Sequence, residues 1–170
     1  INMIFREFDR DDICGICELI NCELGYSVSV DDLALRIKQM RDDKHYCIFV
    51  AENNNEVIAF IGMHIGLAFE YSGKIARIIA LAVKKEYQRK GIGAKLLQTA
   101  ESYLKENYVE LIAVNSGLHR IEAHRFYEKQ GFYKKGYRFA KAVLKKWGIK
   151  MIYYTYNVLD ELKTLYVIKQ

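Results

Sequence analysis

The sequence has no proline, a single tryptophan and no apolar run long enough to cross a bilayer. Without proline there is no Pro-rich linker to mark a domain boundary, and the turns fall to Gly, Asn, Asp and Ser. The longest apolar stretches, near 57–69 and 75–83, are too short or too interrupted for a transmembrane helix, so no membrane partner is expected. No secretory signal is expected either, because Arg6, Glu7 and Asp9 stand where an apolar core would be needed. The expected setting is therefore cytoplasmic, with reduced thiols. Cysteine is sparse, at positions 14, 17, 22 and 47. Cys14 and Cys17 have the spacing of a redox pair or half a zinc site, but Ile13, Ile16, Cys17 and Ile20 recur at helical spacing. Helix packing is the favoured reading, with no metal. What is present is the composition of a globular protein: 170 residues, 51% hydrophobic, 28% charged and 13% aromatic. This suffices for one core-bearing domain, expected over 1–144, and excludes a disordered or low-complexity chain.

The formal charge of +5 is unevenly spread. Residues 1–83 hold 8 basic and 13 acidic side chains, residues 84–150 hold 16 and 6, and residues 151–170 hold 2 and 2. The middle segment favours an anionic ligand. No helix-turn-helix, zinc-finger spacing or aromatic RNP-type strand accompanies it, so a phosphorylated small molecule fits as well as nucleic acid and the charge alone does not choose, although the expectation ranked first is no nucleic-acid partner.

Hydrophobic periodicity lays out the elements. Residues 1–8 read as a strand, Asp9 to Asp12 as N-cap candidates for a helix ending near Cys22, and Ser29 as the start of a second helix with Leu33, Ile37 and Met40 on one face. The Ser29/Asp32 pair resembles a capping box. Strands are expected at 46–51 and 57–69 around the Asn53-Asn54-Asn55 turn, then at 74–83, the last apolar on both faces after Arg77 as a central strand would be. Leu96, Leu97, Ala100, Tyr103 and Leu104 make a helical stripe, 109–114 a strand, and Ala123, Phe126 and Tyr127 a second stripe closed by Gly131. Alternation over 137–143 predicts a last strand. The expected fold is α/β, with six or seven strands and helices on both faces. Beyond it, 149–156 reads as a strand and 158–168 as a helix. Residues 145–170 are thus an apolar extension expected to pack on the domain or, as a homodimer, on a second subunit.

The segment Gln88-Arg89-Lys90-Gly91-Ile92-Gly93-Ala94 joins the 74–83 strand to an amphipathic helix. Unpaired amides and the dipole at a helix start favour an anion, and Gly91 and Gly93 let a phosphate approach the backbone without a Cβ clash. Neither better-known phosphate loop fits. Leu96 stands where a dinucleotide fingerprint needs its third glycine, and Ala94-Lys95 where a P-loop needs Lys-Ser/Thr.

This segment resembles the Q/R-x-x-G-x-G/A loop of the GNAT family of N-acetyltransferases, and it follows Leu81-Ala82-Val83 as that family's loop follows its strand. Ala123-His124-Arg125-Phe126-Tyr127-Glu128-Lys129-Gln130-Gly131-Phe132 resembles the family's A-x-x-F-Y-x-x-x-G-F block, about 30 residues further on. The resemblance implies a mixed, mostly antiparallel central sheet and transfer of acetyl from acetyl-CoA to a primary amine of a small molecule or peptide by direct attack. It assigns the pyrophosphate to 88–94, the pantetheine and acetyl carbonyl to the backbone of Leu81, Ala82 and Val83, and further cofactor contacts to Asn115, Arg120, Ala123, Phe126 and Tyr127. Relatives often carry an Asn where Arg120 stands. Tyr127 is implied as the general acid that protonates the departing thiolate. Many relatives hold a Glu just before the Leu-x-Val; here Ile79 and Ala80 stand there, so the base is Glu70, a histidine among His64, His119 and His124 acting through water, or none at all if the acceptor has a low pKa. A CoA-binding regulatory module without turnover is the alternative that the missing carboxylate leaves open.

Overall fold

The computed structural model describes residues 3–136, 138–141 and 143, together with the backbone of Tyr153–Thr155 and Thr164–Tyr166. The chain divides into two compact units, Ile1–Asn115 and Ser116–Gln170.

The first unit runs β1 (Met3–Glu7), a 3₁₀ turn (Arg10–Asp12), α1 (Ile13–Cys22), α2 (Val30–Asp42), β2 (Tyr46–Asn53), β3 (Glu56–Leu67), β4 (Lys74–Val83), a second 3₁₀ turn (Lys85–Tyr87), α3 (Ile92–Glu106) and β5 (Val109–Val114). The five strands form one sheet in chain order, β1 to β4 antiparallel and β5 parallel to β4. The sheet is mixed and mostly antiparallel, as expected. Local chemistry sets the element starts. The Asp9 amide donates to Asp12 Oδ2 at 2.7 Å, and the Asp9 carboxylate accepts from the Asp11 amide, reciprocal capping that opens the path into α1. Ser29 Oγ accepts the Asp32 amide at 3.1 Å and donates to the Asp32 carboxylate at 2.8 Å. That is the N-cap half of the expected box, with Asp32 turned onto the hydroxyl because its side chain is shorter than Glu. Asn54 and Asn55, at φ 51° and 65°, make the tight β2–β3 turn that only residues tolerant of left-handed angles support.

Helices cover both faces of the sheet. Phe49 and Val50 are successive on β2 and point to opposite sides. Val50 joins Phe60 and Ala82 in a core with Ile16, Cys17 and Leu19 of α1 and Leu33 and Ile37 of α2, while the Phe49 ring meets Tyr103 of α3 at 5.4 Å. Cys17 is buried and Cys14 exposed, which puts the two thiols on different sides of α1 and makes Cys17 part of the apolar stripe. Cys47 is half-buried, and burial pushes its thiol up to about 12, the nearby Glu7 charge adding to the effect.

In the second unit α4 spans Ile121–Lys129 and ends at Gly131, whose φ of 85° is the left-handed stop predicted for it. Short strands β6 (Tyr153–Thr155) and β7 (Thr164–Tyr166) pair antiparallel.

Three expectations need correction. The main sheet has five strands, not six or seven. Residues 138–141 and 143 lie in no strand; Phe139 is 92% and Val143 89% exposed, so the alternating pattern has neither a ladder partner nor a surface to bury its apolar side. Residues 164–166, expected within a helix, are strand, because their pairing with 153–155 supplies backbone bonds that a helix of spacing-three leucines would have to make alone. The remainder of 149–156 and 158–168 lies outside the described residues.

Candidate functional site

The ladders on the two sides of β4 part company halfway along it. Toward β3 the register runs from Ala59↔Val83 to Gly62↔Ala80 and then shifts to Met63↔Ile78, leaving Ile79 without a partner, a β-bulge in β4. Toward β5 the pairing ends at Ile78↔Val114. The Lys84 amide donates to Ile58 O at 2.8 Å. Antiparallel pairs alternate between bonded and non-bonded, so this bond makes Ala82 and Ala80 the residues bonded to β3 and turns the peptide groups of Leu81 and Val83 the other way. On that side β5 has already stopped. Leu81 thus offers its backbone N–H and C=O, and Val83 its N–H, to the gap between the two strands.

Beyond Val83 the chain is held in place by side chains. Gln88 spends its amide on the Val83 carbonyl at 2.8 Å and on Glu23 at 3.1 Å, and Glu23 also accepts the Lys85 amide at 3.0 Å. Gln88 therefore holds the loop against Val83 and Glu23. Arg89 and Gly91 take left-handed angles, φ 59° and 81°, the second at the N-cap of α3. Gly91 provides no side-chain cap, and the first helical bond is Lys95 N–H to Gly91 O at 3.0 Å. The amides of Ile92, Gly93 and Ala94 precede that bond and open toward whatever anion sits at the helix start. Ile92 is buried and pins the first turn, while the exposed Arg89 and Lys90 add charge, Lys90 lying 5.5 Å from the centre of the Tyr87 ring.

The other expected residues are placed as follows. Asn115 is exposed just after β5, at the end of the first unit. In the second unit Arg120 stands at the N-cap of α4, and Ala123, Phe126 and Tyr127 are half-buried on that helix. The Tyr127 ring packs edge-on between Phe126 (5.2 Å) and Phe132 (5.3 Å). Burial raises the Tyr127 phenol above its ordinary value, with the Arg120 charge pulling part of the way back. Glu70 is not brought to Leu81 and Val83. It is exposed in the β3–β4 loop, whose mouth at Lys74 lies seven residues before Leu81, roughly 23 Å along an extended strand. Among the described residues no group of three His, Cys, Asp or Glu side chains is arranged to hold a metal ion, and no helix is long and apolar enough to cross a membrane.

Sequence reasoning missed three features. Glu23 clamps a loop more than sixty residues away, which no local pattern announces. The bulge at Ile79 carries no Gly or Pro signal. Tyr46, His64 and Arg77 form one cross-strand row, and only register brings them together.

A five-stranded mixed sheet with a parted central pair, followed by a glycine-started helix with open amides, is the frame of an acyl-CoA transferase. Residues 13–132 match the acetyltransferase (GNAT) family, and the chain belongs to that family, whose members are acetyl-CoA-dependent acyltransferases. It is 31% identical over 136 residues to the aminoalkylphosphonate N-acetyltransferase of Salmonella typhimurium, covering 79% of this chain and 86% of that protein. It is 35% identical over 128 residues to N-alpha-acetyltransferase 30 of Schizosaccharomyces pombe, covering 73% and 81%. Its fold superposes on a GNAT family acetyltransferase of Staphylococcus aureus with a TM-score of 0.72 at 25% identity, over 84% of this chain and 100% of that one.

Proposed function

We propose that the chain transfers the acetyl group of acetyl-CoA to a primary amine by direct attack. The observation that carries this is the pairing of two backbone features on one stretch of chain: outward peptide groups at Leu81 and Val83, and an uncapped helix start at Gly91. The first suits the pantetheine and acetyl carbonyl, the second the pyrophosphate, with Arg89 and Lys90 adding charge. Asn115, Arg120, Ala123 and Phe126 are the further cofactor contacts that the family pattern suggests.

The amine nitrogen attacks the thioester carbon, the carbonyl becomes a tetrahedral oxyanion, and the C–S bond then breaks to release the thiolate. A backbone N–H aimed at that oxyanion is worth a few kcal/mol. Tyr127 is the proposed acid for the thiolate. A phenol ordinarily titrates near pH 10, and burial moves this one higher, so it is fully protonated at neutral pH and available to donate. An alkylamine with a pKa near 10 needs about 4 kcal/mol to lose its proton at pH 7. His64, on the strand beside the bulge, is better sited than Glu70 to take that proton through water.

The test is an amine screen with acetyl-CoA and a thiol reporter, on wild type and Tyr127→Phe. Thiol release that depends on the amine, with kcat reduced by roughly tenfold to a hundredfold in the variant, supports the reading. Coenzyme A binding with no acetylation of any amine overturns it in favour of a CoA-binding module.

A further inference from the structure

The bulge side of the sheet has one closed face and one open face. Ala76 and Ile78 point to the α3 side and are 0% and 4% exposed. On the other side α1 and α2 cover Val50, Phe60 and Ala82, but two strand steps further on, Tyr46 and His64 are only half-buried, Arg77 is exposed and Ile79 is 46% exposed. A carbonyl held by the outward N–H groups of Leu81 and Val83 lies in the gap beside β4, and the acceptor reaches it from a side that the protein leaves unfilled. With α3 on one side, the acceptor comes in over the Tyr46–His64–Arg77 row.

We propose that Arg77 binds an anionic group on the acceptor, so that the preferred substrates are amines carrying a phosphonate, phosphate or carboxylate a few bonds from the nitrogen. This rests on the acetyl-transfer reading and names its substrate class. Arg77 stands four residues before Leu81, roughly 13 Å along the strand, a span that an arginine side chain and a short aminoalkyl chain cover together. It makes no ion pair or hydrogen bond among the described residues, and its cross-strand neighbour is His64, itself in edge-on ring contact with Tyr46 at 4.8 Å. A guanidinium fork matches two oxygens of such an anion at once. Of the acidic groups around α2 that could draw a polycationic acceptor, two are held in contacts of their own, while Asp31 and Asp42 are exposed. Asp32 takes the Ser29 hydroxyl, Asp31 joins it in the first turn of α2, where the helix dipole favours negative charge, and Asp43 holds His45 at 2.6 Å. Glu70 is at the far end of the hairpin.

The experiment compares kcat/KM for 3-aminopropylphosphonate, 3-aminopropionate, n-butylamine and 1,4-diaminobutane in wild type, Arg77→Gln and Arg77→Lys. It adds calorimetric titration of 3-aminopropylphosphonate into each protein saturated with coenzyme A, and a thermal melt to establish folding. The expected result is a preference of at least tenfold for the anionic amines over n-butylamine, a ratio that falls toward one in Arg77→Gln and is only partly kept in Arg77→Lys. An anion preference absent in wild type, or equal in wild type and Arg77→Gln, overturns the proposal. If no amine is acetylated but the phosphonate binds in an Arg77-dependent way, the anion site stands and the acetyl-transfer reading fails. If n-butylamine is acetylated and the phosphonate neither binds nor reacts, the reverse holds.

Discussion

Single residues carry the pH behaviour. Asp12 is almost fully buried, and burial alone would raise its pKa; the Arg6 guanidinium, bonded to both of its oxygens at 2.8 Å, and the Asp9 amide outweigh that and hold the carboxyl below its usual value. Arg6 also reaches Glu52 at 2.5 Å, which ties β1 to β2 and to the start of α1. Because the folded value is depressed, the unfolded chain takes up the proton first. The stabilisation is complete above about pH 4 and is lost as pH falls from there through the lower folded value. Asp12→Asn should therefore flatten the acid side of a stability profile measured by urea unfolding between pH 2 and 6. At pH 7 it should cost about 2 kcal/mol, less than a fully buried broken pair because Arg6 remains partly solvated. An unchanged acid limb would show that the pair contributes nothing. Tyr127 belongs to the same scale: its type and its neighbours Phe126 and Phe132 are readable in the chain, but the raised phenol depends on burial, which is not.

At the level of elements, the start of α3 makes the sharpest demand. A residue with a β-carbon at Gly91 would be held at φ 81°, with no atom within 4 Å of the added carbon, so the strain is backbone strain alone. Gly91→Ala should lower stability by about 1 kcal/mol and weaken coenzyme A binding roughly tenfold, as the first amides of the helix lose their alignment. Gly25→Ala, at φ 75° and equally open, is the control for strain without a ligand. Its melting temperature should fall similarly and its coenzyme A affinity should hold. Equal affinity in wild type and Gly91→Ala would remove the helix start from the binding site. This element was legible because glycine spacing and amphipathic period are local properties. The β4 bulge was not, since it exists only as a mismatch between two ladders, one reaching Val83 and one stopping at Ile78.

At the scale of the whole molecule, the composition of residues 145–170 carries a prediction. Their Ile, Leu and Tyr content should not face water, and a chain ending at Leu144 is expected to lose solubility or change its oligomeric state in gel filtration. An unchanged elution volume and yield would count against packing by this segment. The uneven charge also acts at this scale. The basic middle segment includes the loop at 88–94, so coenzyme A affinity should decline with added salt, as attraction between exposed charges is screened.

The sequence by itself determined the class of fold, the order of helices and strands through 132, and the glycine start of α3, because each follows from periodicity, capping residues and glycine within a few positions of one another. Tertiary structure alone decided that 138–141 and 143 lie in no strand, that Gln88 meets Glu23, that Glu70 stands a strand's length from Leu81, and that Arg77 shares a row with His64. Those outcomes depend on register and on which surfaces meet, and neither is written in any one stretch of chain.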